Sequence, residues 1–128
     1  MIVLDYRDKR PIYEQVVEKL EHLIVCGALA ADTKMPSVRA LALDLSVNPN
    51  TIQRAYAQLE QDGYLYSIVG RGNFVAGESE WKSGKMEETL TEVRQAFTKA
   101  RDIGIDQNDI RNMLSEIYAA SQKQGGQL

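Results

Sequence analysis

Asn50, Gln53 and Arg54 follow one another closely, with Thr51 between them and Asn48-Pro49 just ahead. Asn and Gln amides present a donor and an acceptor on one plane, which matches the N6/N7 edge of adenine. Arg offers a fork of donors that suits phosphate and guanine. Two further arginines stand in equally deliberate places. Arg39 lies in the run Met35-Pro36-Ser37-Val38-Arg39-Ala40-Leu41-Ala42, and Arg71 lies between Gly70 and Gly72. The chemistry of this set is recognition of a polyanion and its base edges. Nothing points to turnover. No Ser-His-Asp or Cys-His grouping surrounds a common point, and His22 with Cys26 supplies too few ligands for a metal. His22 is expected on a helix surface and Cys26 as a small buried apolar residue. Gly70-x-Gly72 lacks the third glycine and the following helix of a nucleotide loop. No catalytic residue, metal or cofactor is expected.

Side chains read bases only when a rigid element holds them outward, and the flanking pattern supplies one. Asn48 is a helix N-cap and Pro49 suits the first helical position. Ile52, Ala55, Tyr56 and Leu59 then form one apolar face, leaving Asn50, Gln53, Arg54, Ala57 and Gln61 on the other. A shorter helix precedes it, capped by Ser37 and burying Val38, Leu41, Ala42 and Leu45. Two short helices across a tight turn, the second opening with small polar and basic residues, are how a helix enters a major groove. Gly63 stops this helix. Tyr64 to Ile68 alternates like a strand, Val69-Gly70-Arg71-Gly72 is a turn, and Asn73 to Ala76 returns as the partner. The spacing predicts a winged helix-turn-helix.

An earlier helix is predicted from Pro11, with Ile12, Val16, Leu20, Leu23 and Ile24 as its stripe and Gly27 as its left-handed cap. Ala28 to Pro36 reads as extended, with Leu29 and Met35 plugging the core. Gly77 to Gly84 is polar and reads as a linker. Lys85 to Arg101 carries Met86, Leu90, Val93 and Phe97 on one stripe. Asp106 caps a last helix, with Ile105 and Ile110 placed as a hydrophobic staple. Its face is Ile110, Met113, Leu114, Ile117 and Tyr118. Gln122 to Leu128 is expected to fray.

Bulk properties bound the function. The 128 residues carry a net charge of −3 and one cysteine, so no internal disulfide forms. No apolar run approaches the roughly 20 residues of a membrane helix. The start lacks signal-peptide character, and the chain is expected in the cytoplasm. Acids outnumber bases on both sides of Ala76. Positive charge for a nucleic acid must therefore be local: Arg39, Arg54 and Arg71, with Arg7, Lys9 and Arg10 near the start. Modest, salt-dependent affinity reinforced by dimerisation is the expectation.

The residues quoted resemble the GntR family of bacterial transcription regulators. Gly27-Ala28-Leu29, Met35 to Ala42, Val47 to Tyr56 with Leu59 and Gly63, and Gly70 to Val75 match the family's motifs in order and spacing. Three positions depart: Val38 where Glu is frequent, Ala31-Asp32 where Pro-Gly is frequent, and Pro49 where a basic residue is common. The short remainder after Ala76 resembles the YtrA-type branch. That resemblance implies a helical dimerisation tail and repression of operons for transporters or cell-envelope functions.

The expectations are a mainly α chain with a small β-hairpin: a winged domain over residues 9–77, with its helix-turn-helix at about 37–56 and its wing at about 64–76. A linker at 78–84 and a two-helix dimerisation segment at 85–121 complete it. Ser37, Arg39, Asn48, Asn50, Thr51, Gln53, Arg54, Arg71 and Gly72 are expected at double-stranded DNA. Asn50 and Gln53 should contact bases, Arg54 phosphate or the groove edge, and Arg71 phosphate or the minor groove. The two apolar tail stripes cannot bury each other alone and are assigned to a second copy of the chain. The tail is too small to enclose a ligand pocket by itself, which leaves the dimer interface as the place for a ligand, and the sequence names no effector. The competing reading is a winged-helix protein-interaction adaptor that does not read DNA, favoured by the acidic balance and opposed by the intact arginines.

Overall fold

The computed structural model describes residues 2–126. In chain order it contains α1 (Ile12–Val25), α2 (Val38–Leu45), α3 (Pro49–Gln61), β1 (Leu65–Ile68), β2 (Gly72–Val75), α4 (Glu78–Asp102) and α5 (Gln107–Gly126). The chain is thus mainly helical with one antiparallel hairpin. It divides into two compact units, one ending at Lys85 and the other beginning at Met86.

The first unit is built on one core. From α1 it takes Val16, Leu20 and Ile24; from α2, Leu41 and Ala42; from α3, Ile52, Ala55, Tyr56 and Leu59. Met35, Tyr64, Leu65, Val75 and Trp81 close it. Pro11 sits one residue earlier than expected, as the extended cap position of α1 rather than its first helical residue. Gly27 takes φ +84°, the left-handed conformation its place required.

The expected helix caps are present. Ser37 Oγ accepts from the Ala40 amide at 3.1 Å. Asn48 Oδ1 accepts from the Asn50 amide at 2.8 Å, with Pro49 at the first helical position. Between the helices Ser46 adopts φ +55°, and the Val47 amide donates to the Ala42 carbonyl at 2.9 Å, closing the turn. The Tyr56 hydroxyl donates to the Pro36 carbonyl at 2.8 Å, tying α3 to the chain entering α2.

The hairpin pairs Leu65 with Val75 and Ile68 with Gly72 at its ends. The extended segment before α2 lies along β2. The Asp32 amide donates to the Val75 carbonyl (2.7 Å), the Val75 amide to the Thr33 carbonyl (2.9 Å), and the Met35 amide to the Asn73 carbonyl (2.8 Å). Those bonds satisfy an edge that would otherwise be bare. Asp32 takes φ +67°. Asp tolerates that region better than most residues. Its carboxylate also accepts from the Tyr66 hydroxyl at 2.7 Å, and this bond raises the Tyr66 pKa above the usual phenol range.

Four expectations need correction. Residues 78–84 are not a linker but the first turns of α4. Their polar composition also suits an exposed helix face, Glu78 and Glu80 favour a helix start, and Trp81 supplies the burial. Trp81 is 7% exposed and stacks on Tyr64, with centroids 5.5 Å apart. The first unit therefore runs past residue 77 to Lys85. Lys85 pairs with Glu21, which also accepts from the Tyr64 hydroxyl at 3.0 Å. Cys26 is exposed, because the α1 stripe places it beyond the last buried turn. Finally, α5 continues to Gly126 rather than ending near 121; Gln127 and Leu128 lie outside the described residues.

Gln15 is a buried polar residue that periodicity did not single out. Its amide accepts from the Asp5 amide and donates to the Asp5 carbonyl, both at 2.9 Å. This pins the N-terminal segment, whose Ile2 and Leu4 pack on the core.

In the second unit, Gly104 at φ +86° reverses the chain after α4, and the Ile105 amide donates to the Ala100 carbonyl at 3.0 Å. Asp106 Oδ1 accepts from the Asn108 amide at 2.8 Å, the expected cap of α5. Ala100 is buried, and Ile110 is half-buried.

Two substitutions test the Trp81 closure. Trp81→Ala should cost about 3 kcal/mol or more, as for other large aromatics removed from cores. Gly63, at φ +87°, would place an added Cβ 2.7 Å from the Glu80 carbonyl oxygen. Gly63→Ala should cost upwards of about 1–2 kcal/mol from the left-handed conformation alone. Gly77→Ala, with open space around it, is the control that should melt like the parent in denaturant titrations.

Candidate nucleic-acid interface

One side of α3 is committed to the core, and this commitment aims the other. Ile52, Ala55 and Leu59 are fully buried and Tyr56 nearly so. Burial pushes the Tyr56 phenol up to about 12, so it remains a neutral donor to Pro36. On the opposite face Asn50, Gln53 and Arg54 are exposed, and Thr51 is half-buried beside the cap. Asn50 and Arg54 stand four residues apart and share a stripe. Ser37 and Asn48 are exposed and use one side-chain oxygen each for capping. Capping uses neither the Asn48 amide nitrogen nor the Ser37 hydroxyl hydrogen, so each side chain keeps its donor. Arg39 is exposed on α2.

Arg71 and Gly72 are exposed at the turn of the wing. The Arg71 amide donates to the Ile68 carbonyl at 2.9 Å. Gly70 at φ +79° and Gly72 at φ +113° bracket it in conformations that other residues avoid. Behind the tip, Tyr66 and Phe74 stack with centroids 5.5 Å apart, and the Ser67 hydroxyl donates to Asn73 Oδ1 at 2.9 Å. Val69, beside the tip, is fully exposed.

The electrostatics are more selective than the sequence indicated. Arg10 is bound by Asp8 and Glu18, which raises its pKa further and holds the Asp8 carboxyl below its ordinary range. Arg7 lies 3.9 Å from Asp5. These basic residues are partly neutralised by neighbouring acids. None of the ion pairs among the described residues involves Arg39, Arg54 or Arg71. Arg54 instead lies over the Tyr13 ring, its guanidinium carbon 3.8 Å from the ring centroid. Sequence reasoning did not find Tyr13, because only the packing of α1 against α3 brings the two together.

The expected recognition residues thus lie in the first unit, on the helix-turn-helix and at the tip of the wing, and all but the half-buried Thr51 are exposed. Among the described residues no group of His, Cys, Asp and Glu could hold a metal ion. No described helix is long and apolar enough to cross a membrane.

A three-helix core with a hairpin behind its second pair of helices defines a winged helix-turn-helix. Residues 12–75 match the family described as bacterial regulatory proteins, gntR family. The chain belongs to the GntR family of bacterial transcription regulators, in its YtrA-type branch. It is 32% identical to the HTH-type transcriptional repressor YtrA of Bacillus subtilis (strain 168), over 93% of each chain. A transcriptional regulator from Oenococcus oeni has the same fold, with TM-score 0.74 and 28% identity, over 92% of this chain and 97% of that one. The DNA-binding domain of AraR, solved in complex with operator ORE1, is 35% identical with TM-score 0.51, covering 58% of this chain and 90% of that one. The family is one of regulators rather than enzymes.

Capping and surface roles on α3 separate in a melting experiment. Asn48→Ala should lower stability by about 1 kcal/mol, the usual cost of a lost N-cap. Gln53→Ala, at an exposed position whose side chain makes no hydrogen bond among the described residues, should leave the midpoint within about 0.5 kcal/mol of the parent.

Proposed function

We propose that the protein is a repressor that binds an inverted-repeat operator as a homodimer. The observation that carries this reading is the exposed polar side of α3, with Asn50, Gln53 and Arg54 standing on a fully buried apolar side. In this reading Asn50 and Gln53 contact base edges, while Ser37, Arg39, Asn48 and Thr51 fix the helix-turn-helix on the backbone. Arg54 takes phosphate or the groove edge, and the Arg71-Gly72 tip takes phosphate or the minor groove. The AraR domain bound to its operator supports the docking of such a domain on DNA.

Dimerisation is assigned to the second unit. Met86, Leu90, Val93 and Phe97 on α4 are exposed, as are Met113, Leu114, Ile117 and Tyr118 on α5, with Leu90 at 64% and Tyr118 at 65%. Ile110 joins them, half-buried. Stripes of this size mark surfaces that associate. A dimer also offsets the acidic balance, because two linked half-sites multiply a modest single affinity. The YtrA-type likeness extends the proposal to a transport or cell-envelope operon, testable from the genes beside this one.

Footprinting on selected duplexes should show a palindrome. Deleting one half-site should weaken binding by orders of magnitude. A chain stopped after Lys85, which retains Trp81, should sediment as a folded monomer and bind weakly. A dimeric truncation would remove the second unit from this role.

Reading and positioning should separate on a panel of operator variants at several salt concentrations. Arg71→Ala should weaken binding to every sequence and reduce the salt slope by about one counterion per half-site. Gln53→Ala should relax preference at one base pair, worth about 1–3 kcal/mol. Absence of any salt-dependent duplex binding would favour the adaptor reading.

A further inference from the structure

The Arg54 guanidinium does not project freely from α3. It lies over the Tyr13 ring, its central carbon 3.8 Å from the ring centroid, and makes no ion pair among the described residues. Tyr13 belongs to the first turn of α1, a different helix, and is half-buried there. Its hydroxyl donates to Glu14 Oε1 at 3.4 Å. The ring face is thus the part of Tyr13 that meets Arg54.

An arginine side chain has many rotamers, and an exposed one loses that freedom when it binds an anion. A ring beneath the guanidinium removes part of the cost beforehand. A cation–π contact consumes none of the guanidinium's N–H donors as hydrogen bonds, so they stay available to an anion. Arg54 shares its helix stripe with Asn50 and adjoins Gln53. A guanidinium held there from α1 is set at the border of the exposed polar side of α3.

We propose that Tyr13 is a positioning residue for DNA recognition, holding Arg54 in the orientation that engages a phosphate. This rests on the operator-binding reading and adds to it a residue outside the helix-turn-helix. The contact also makes α1 a part of the interface. The reading helix and the first helix then present one fixed cation rather than a mobile one.

The experiment is a double-mutant cycle on the full chain, with the selected operator at several salt concentrations and folding followed by circular dichroism. Tyr13→Phe keeps the ring and should bind like the parent. Tyr13→Leu should weaken each half-site about two- to fivefold, the range of an exposed cation–π contact. On a two-half-site operator the losses multiply to about four- to twenty-five-fold. Arg54→Ala should weaken binding further and lower the salt slope. In the Arg54→Ala background, Tyr13→Leu should cost nothing more. Undiminished operator affinity in folded Tyr13→Leu overturns the proposal. So does an equal loss with or without Arg54, which would mean that Tyr13 acts through the fold. A parent protein that selects no sequence from a random duplex pool sinks the operator reading itself, and the Tyr13 proposal with it. Selection by the parent with an unaffected Tyr13→Leu sinks the latter alone.

Discussion

The burial of one side of α3 is the constraint on which the first unit depends. Ile52, Ala55, Tyr56 and Leu59 fix the rotation of the helix about its axis, and that rotation decides which residues face outward. A change of one residue in this register would turn Gln53 toward the core and a buried apolar residue toward solvent. α1 and α2 supply apolar surface for α3 to pack on, and the Tyr56–Pro36 hydrogen bond sets its height against the preceding chain. The hairpin follows from the same constraint. Leu65 and Val75 belong to the core that holds Leu59, so the wing is anchored at its base while its tip is free of apolar burial.

Charge is distributed according to the same division. The chain is acidic overall, yet among the described residues Arg39, Arg54 and Arg71 make no ion pair, while Arg10 is tied to two carboxylates. Solvent-exposed pairs such as these add little to stability. Their larger effect is local: they neutralise Arg10, whereas the exposed guanidiniums of Arg39 and Arg71 keep their charge on the helix-turn-helix and the wing.

Much of this was legible in the sequence because it rests on local rules. Ser37, Asn48 and Asp106 declare helix starts through their short acceptors, and Gly27, Gly63 and the two wing glycines declare reversals. Stripes at helical spacing gave the three core helices. What was illegible depends on contacts across the fold. Trp81 sits among polar residues, and only Tyr64 and the core beside it make those residues the start of a helix. Gln15 interrupts no pattern, but is buried because the Asp5 backbone comes back to meet both ends of its amide. Tyr13 reads as one more residue of α1 until α3 is laid beside it. Of the recognition set, the fold accounts for the caps and the exposure, and the chemistry of each side chain had already been apparent from its type.

Trp81 is the single tryptophan of the chain, and it lies where the first unit closes. Its indole is therefore an optical label placed by the protein itself. Stacked on Tyr64 and shielded from water, it emits from an apolar environment; release of the α4 start would shift that emission to longer wavelength. The residues assigned to DNA lie on α2, α3 and their caps and at the wing tip rather than on α4, so the integrity of the domain can be followed by light while the recognition surface is altered.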